Sequence, residues 1–320
     1  MIYFFICSIS FIIVYLITPN IRYAGIRFSA FDKKGERKIH KKVITKLGGL
    51  AVYLGFLGGV LSAFIFDLDF LRMHILQISG LFIGSFLMLL LGMYDDFQGS
   101  SANIKLTIQI IIALLVVKLG FRLERIAIPG LPIINLGMWS VPVTLLWVVG
   151  ITNAINLIDG LDGLATGITA IVVYFFCLYA IILQDQFAIY VALALLGASL
   201  AFLKYNFYPA KIFLGDTGSL FMGFVVANLA IHPFRTTVVN NLFFPCAVIV
   251  LFLPIVDTSL AVVRRILRRQ HIFKGDFSHI HHYYIKLGFN QPQAVKRLYA
   301  ITFYLGIISL ICLISFQPFK

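Results

Sequence analysis

Residues 138–203 read MWSVPVTLLWVVGITNAINLIDGLDGLATGITAIVVYFFCLYAIILQDQFAIYVALALLGASLAFL. Two polar breaks interrupt an otherwise apolar text, one from Asn153 to Asp162 and one at Gln184-Asp185-Gln186. The runs they leave, 138–156, 163–184 and 186–203, each approach the ~20 apolar residues that cross a bilayer as a helix. Similar runs recur outward, at about 1–19, 47–66, 73–94 and 104–121 on one side and 217–233, 241–263 and 297–316 on the other. Ten runs in 320 residues predict an all-α polytopic membrane protein of about ten transmembrane helices, forming one integral-membrane domain over 1–320. The composition agrees: with 60% hydrophobic and 12% charged residues and a mean hydropathy of +0.97, a water-soluble globule is excluded. A signal peptide or a single anchor does not explain this composition, because the apolar runs recur along the whole chain. Between the fourth and fifth runs, residues 123–139 alternate around Pro129-Gly130 and predict a short β-hairpin.

The net charge of +13 has a topological origin. Ten spans sort the loops into two alternating sets. The set at 20–46, 95–103, 157–162, 204–216 and 264–296, counted with its flanks, carries 20 of the 26 Lys and Arg. The positive-inside rule places this set in the cytoplasm and both termini outside; no nucleic-acid partner is needed. The four cysteines, Cys7, Cys177, Cys246 and Cys312, fall singly in apolar runs and read as packing residues.

Nine of the thirteen acidic residues lie on the cytoplasmic side, several at the borders of apolar spans. A carboxylate at such a border is costly to hold, so their recurrence predicts a shared polar cleft. Asp95-Asp96 ends the third run; alone, such a pair also suits a helix start. Asn153, Asn156, Asp159 and Asp162 recur every third residue and, if helical, share one face. Their oxygens suit a hard cation, ribose hydroxyls or a base edge. The Asp-Gly pairs here lack the Ala-Arg of CDP-alcohol phosphotransferases, since Thr166 follows Ala165. In Phe213-Leu-Gly-Asp216-Thr-Gly-Ser219, a helix start offers N–H groups to a phosphate and Asp216 offers a site for Mg²⁺. Phe213 is either a stacking plate for a nucleobase or an interface anchor.

His279-Ile-His281-His282 stands in the last cytoplasmic loop after Arg264-Arg265 and Arg268-Arg269. Zinc binding, general acid–base chemistry, phosphate contact and a plain polar loop all fit it. In the first loop Arg37, Lys38, His40, Lys41, Lys42 and Lys46 suit anionic lipid or a substrate phosphate.

In this order and on one side of ten spans, these clusters resemble the polyprenyl-phosphate N-acetylhexosamine-1-phosphate transferases. The resemblance spans about residues 20–300, and its most specific strings are Asn153–Ala165 and Phe213–Leu220. It implies transfer of a sugar-1-phosphate from a UDP-N-acetylhexosamine to undecaprenyl phosphate, release of UMP and a need for Mg²⁺ or Mn²⁺. It further implies a bacterial inner-membrane enzyme with its active site facing the cytoplasm, beginning a cell-surface polysaccharide; a homodimer is one assembly compatible with it. Asp216 and Asn156 match the metal positions, Asp95 the base acting on the lipid phosphate with Asp96 beside it, and Asp159 a further position needed for activity. Phe213 and Asp162 match the uracil pocket, with Asn206 near it. His281 and His282 match the loop histidines near the pyrophosphate and sugar, with His279 in the same segment, and Lys105 a basic position after the Asp pair.

His-Ile-His-His is the form of the GlcNAc-1-phosphate branch, where the phospho-N-acetylmuramoyl-pentapeptide translocases, the alternative, carry three consecutive histidines. The chain departs from the family where Pro-x-Pro-Arg is common; it has Val43-Ile44-Thr45-Lys46, which leaves Lys46 as the candidate there. A cation-coupled transporter would use intramembrane carboxylates as a relay. The placement of the acidic clusters on one face weighs against it.

Overall fold

The computed structural model describes residues 1–27, 44–128, 131–232, 242–270 and 279–316. Asp32, Glu36, Arg37, Lys38, His40, Lys41 and Lys42 of the first loop, Asp276, and the Pro129-Gly130 turn lie outside the described residues.

Each of the ten apolar runs is helical. In chain order the helices are α1 (Ile2–Arg27), α2 (Gly48–Phe66), α3 (Leu68–Gln98), α4 (Ala102–Lys118), α5 (Ser140–Leu157) and α6 (Leu164–Ile182). They continue with α7 (Gln186–Asn206), α8 (Gly215–Ala230), α9 (Phe243–Val250), α10 (Phe252–Leu267), α11 (Ile280–Lys286) and α12 (Gln291–Ser315). Seven of these are long and apolar enough to cross a membrane, and α9 with α10, bent by 66°, would make an eighth span. The remaining two runs form α4, of 17 residues, and α8, of 16. The chain is thus an all-α polytopic membrane protein. The expected hairpin is present as strands β1 (Arg125–Ile126) and β2 (Ile134–Asn135), antiparallel with Arg125 opposite Asn135.

Local chemistry sets the helix starts. Asp67 accepts the N–H of Phe70 at 3.0 Å to cap α3, and Asp185 accepts that of Ala188 at 2.6 Å to cap α7. Each such cap contributes about 1 kcal/mol. Asn290 and Gln293 close a reciprocal capping box on α12.

Helix α8 packs against α2, α3 and α5, and its residues from Thr217 to Ala230 are all buried. A helix enclosed by protein on every side can be apolar all round, which explains the unbroken sequence Leu220-Phe-Met-Gly-Phe-Val-Val-Ala. Small residues let its neighbours come close. A Cβ on Gly92 of α3 would stand 2.3 Å from the Asp216 carbonyl oxygen, so only glycine lets α3 touch the start of α8. One helical turn later α3 presents Asp96 on the same face.

Candidate active site

The ends of α3, α5 and α7 and the starts of α4, α6 and α8 gather at one end of the bundle, and each brings part of the polar cluster. Asp216, in the first turn of α8, is the hub. Its Oδ2 lies 2.5 Å from Lys105 Nζ, and the same ammonium lies 2.8 Å from Asp95 Oδ2. Its Oδ1 accepts from Asn156 Nδ2 at 3.1 Å, and that nitrogen also reaches Ser219 Oγ at 2.8 Å. Asp95 is fixed in turn by Ser100, whose N–H donates to Oδ1 at 2.9 Å and whose hydroxyl donates to the same oxygen. One lysine therefore couples two carboxylates that sequence places 121 positions apart.

Asp96 points elsewhere. Its Oδ1 accepts the Asp216 N–H at 3.1 Å, and its Oδ2 accepts the Thr217 N–H at 2.9 Å and the Thr217 hydroxyl at 2.7 Å. This is a cap on α8 delivered from another helix. It holds Asp96 against the backbone that carries Asp216, and two of the N–H groups expected to receive a substrate phosphate are taken by Asp96.

The three-residue repeat is also corrected. Helix α5 ends at Leu157, and Gly163, at φ +77°, adopts a conformation that side chains rarely permit. Asn153 and Asn156 therefore sit on the helix while Asp159 and Asp162 lie in the turn that follows. Asn153 pairs with Gln109 of α4 through donation from Nδ2 at 2.5 Å, away from Asp216. Burial, followed by the charges of Asp216, Asp96 and Asp162, pushes the Asp159 carboxyl well above its ordinary range, with Lys46 opposing the shift. Asp162 is buried, and one of its oxygens accepts the Ala210 N–H at 3.0 Å.

Asn206 is 2% exposed and bonds internally. It accepts from the Thr166 hydroxyl at 2.9 Å and donates to the Ile212 carbonyl at 3.1 Å. These bonds tie the 207–213 segment to α6. Phe213 is half-buried and its backbone is fixed: its N–H donates to Thr45 O at 2.9 Å and its carbonyl accepts from Gly48 at 3.0 Å. The same pairing brings the half-buried Lys46 into the cluster.

The histidine segment arrives from α11. His281, 3% exposed, packs on Gly160, where an added Cβ would meet its Nε2 at 2.3 Å. Burial first, then repulsion from His282, lowers the His281 imidazole to about 4. His282 is half-buried beside it, with ring centroids 4.2 Å apart. His279 Nδ1 lies 2.9 Å from Asp257 Oδ2. Asp257 is not among the candidate residues of the sequence, although a carboxylate inside the apolar 241–263 run is the signal that could have found it. Tyr299, whose hydroxyl donates to Gly163 O at 2.5 Å, carried no signal.

Among the described residues no three of His, Cys, Asp and Glu converge as a metal cage, so the zinc reading of the histidines has no support. A magnesium ion is commonly held by one or two carboxylates and completed by substrate phosphates and water. Asp216 beside Asp95 fits that sparse donor set. Asn156 faces Asp216 through its amide nitrogen, which makes it the orienting partner of the carboxylate in this arrangement.

Comparison with known proteins agrees with this geometry. The sequence profile described as "Glycosyl transferase family 4" matches residues 78–233, which hold nine of the thirteen candidate residues. A "Probable undecaprenyl-phosphate N-acetylglucosaminyl 1-phosphate transferase" of Bacillus subtilis is 36% identical over 95% of this chain and 83% of its own length. A "Decaprenyl-phosphate N-acetylglucosaminephosphotransferase" of Mycolicibacterium smegmatis is 32% identical over 93% of this chain and 78% of its own. A "Phospho-N-acetylmuramoyl-pentapeptide-transferase" of Clostridium novyi is 36% identical, over 58% of this chain and 55% of its own. With likeness running almost end to end and the polar strings at one end of the bundle, the chain belongs to glycosyl transferase family 4, the family of the polyprenyl-phosphate N-acetylhexosamine-1-phosphate transferases.

Proposed function

We propose that this protein transfers N-acetylglucosamine-1-phosphate from UDP-N-acetylglucosamine to undecaprenyl phosphate, releasing UMP, as one integral-membrane domain of ten spans. The observation that carries the reading is the Lys105 bridge between Asp95 and Asp216, set beside the Asp159–Asp162 turn and the histidine segment. The choice of sugar is supported by relatives named for N-acetylglucosamine that cover 95% and 93% of the chain, against 58% for a pentapeptide-transferase.

The lipid phosphate oxygen attacks the β-phosphorus, and the bond from that phosphorus to the bridging oxygen of UMP breaks. Such a transfer depends on positioning and charge neutralisation more than on covalent chemistry by the protein. Lys105 neutralises phosphate oxygens, and Asp95, which anchors Lys105, faces the acceptor as its base. Asp216 would hold a Mg²⁺ or Mn²⁺ ion, which would add positive charge beside the pyrophosphate. Phe213 stacks on uracil, and the second oxygen of Asp162 takes the uracil N3–H. His281 and His282 approach the pyrophosphate and sugar from the opposite wall, across Gly160.

The positive-inside count supports a cytoplasmic active site in a bacterial inner membrane with both termini outside. A single cysteine at Ser100 in a background lacking the native cysteines should react only with reagents admitted to the cytoplasm. The activity itself is tested by supplying undecaprenyl phosphate and a panel of nucleotide sugars to the purified protein and measuring UMP. Release with UDP-N-acetylglucosamine alone is expected; no release from any member of the panel overturns the proposal.

A further inference from the structure

Asp257 lies on the second turn of α10, in a largely apolar stretch, and its side chain is 3% exposed. A carboxylate in such surroundings needs partners for both oxygens, and it has them. Oδ2 lies 2.9 Å from His279 Nδ1, and Oδ1 accepts the Ile280 N–H at 2.8 Å. Both partners stand at the start of α11, so one buried carboxylate ties α10 to the histidine segment. The contact engages His279 Nδ1 and fixes the ring. The His279 ring is parallel to that of His281, with an interplanar angle of 1° and centroids 5.7 Å apart. His281 in turn rests on Gly160 in the Asp159–Asp162 turn. A continuous line of contact thus runs from Asp257 through His279 and His281 to the acidic wall of the site.

We propose that Asp257 is a positioning residue for the transfer: through His279 and the start of α11 it sets where His281 and His282 stand against the Asp159-Gly160 turn. His279, 5% exposed and engaged at Nδ1, is then a strut between Asp257 and His281, not a substrate contact. The catalytic consequence rests on the proposed function; the clamp itself does not.

The test uses the full chain in lipid nanodiscs. Hydrogen exchange is followed over 279–287 and, as a control, over 215–230, together with UMP release. In Asp257→Ala the 279–287 amides should exchange on the order of tenfold faster while 215–230 stays protected. The turnover kcat should fall on the order of 10²-fold, as expected when reacting groups drift by about 1 Å, with donor KM within about threefold of the parent. Asp257→Ala combined with His279→Ala should be no worse than Asp257→Ala alone, because both break one line of support. Unchanged exchange over 279–287, or kinetic effects that multiply in the double variant, would overturn the proposal. If Asp257→Ala loses protection everywhere, His279→Ala decides: it keeps the Asp257–Ile280 bond and removes only the ring between Asp257 and His281, and a kcat within about twofold of the parent then refutes the proposal. A parent protein that releases no UMP would remove the proposed function while the exchange result still stands.

Discussion

Replacing Gly160 with alanine places a methyl group where the His281 ring now sits. The new Cβ would lie 2.3 Å from Nε2 and 2.6 Å from Cε1, where ordinary contact begins near 3.5 Å. The ring must therefore retreat by about 1 Å, and a displacement of that size at a reacting centre can cost about 10²-fold in rate. That corresponds to ~2.7 kcal/mol of transition-state stabilisation. Folding should suffer much less, because Gly160 is not among the positive-φ residues and the group that gives way is a side chain. The assay is kcat for UMP release beside the thermal midpoint in detergent. A Gly160→Ala protein whose kcat stays within about twofold of the parent would refute the placement of His281 against the site.

Asp216→Asn removes the charge that a divalent cation needs, so Mn²⁺ added to this variant should remain free by electron paramagnetic resonance where the parent binds it; equal binding would remove Asp216 from the metal site. Asp96→Ala deletes the acceptor of two N–H groups and one hydroxyl at the start of α8 and should lower stability by about 1–2 kcal/mol, read from thermal unfolding. An unchanged midpoint would contradict the cap. Phe213→Ala should weaken UMP inhibition by ~1–3 kcal/mol with little change in acceptor affinity; undiminished inhibition would make Phe213 an interface anchor. Burial and His282 lower the His281 imidazole from 6.5 to about 4, so the docked segment binds fewer protons than the released one between those values. Docking is then fully favourable above about 6.5 and loses up to ~3 kcal/mol as the pH falls to about 4. Protection over 279–287, measured relative to the intrinsic exchange rate at each pH, should fall as the pH drops through that window, and a flat protection profile would refute the buried neutral imidazole.

Most of the bundle was legible because length and apolarity alone decide whether a segment can lie in hydrocarbon. Every predicted run became a helix, and the alternation around Pro129-Gly130 marked the strands that pair Arg125 with Asn135. The bend at Leu251, between α9 and α10, had a signal in Pro254, which has no N–H to offer the Val250 carbonyl, but reading 241–263 as one apolar run passes over it. Within the site, residue types were legible and directions were not. Asp95 and Asp96 are adjacent in sequence, yet neighbours on a helix project about 100° apart; one reaches Lys105 and the other the start of α8. Asn206 has the chemistry of a ligand contact, but its internal partners, Thr166 and the Ile212 carbonyl, are known only once α6 and α7 are packed. Asp257 meets a partner 22 positions away, a separation at which periodicity carries no information.

The central claim is that the β-phosphate leaves the nucleotide with the sugar and ends on the lipid. It is tested most directly with UDP-N-acetylglucosamine labelled at the β-phosphorus, supplied with undecaprenyl phosphate and Mg²⁺ to the purified protein. The account predicts that the label moves into the organic-soluble lipid as a sugar pyrophosphate while unlabelled UMP appears in equal amount. Label remaining in water as UDP, with sugar alone on the lipid, would contradict it.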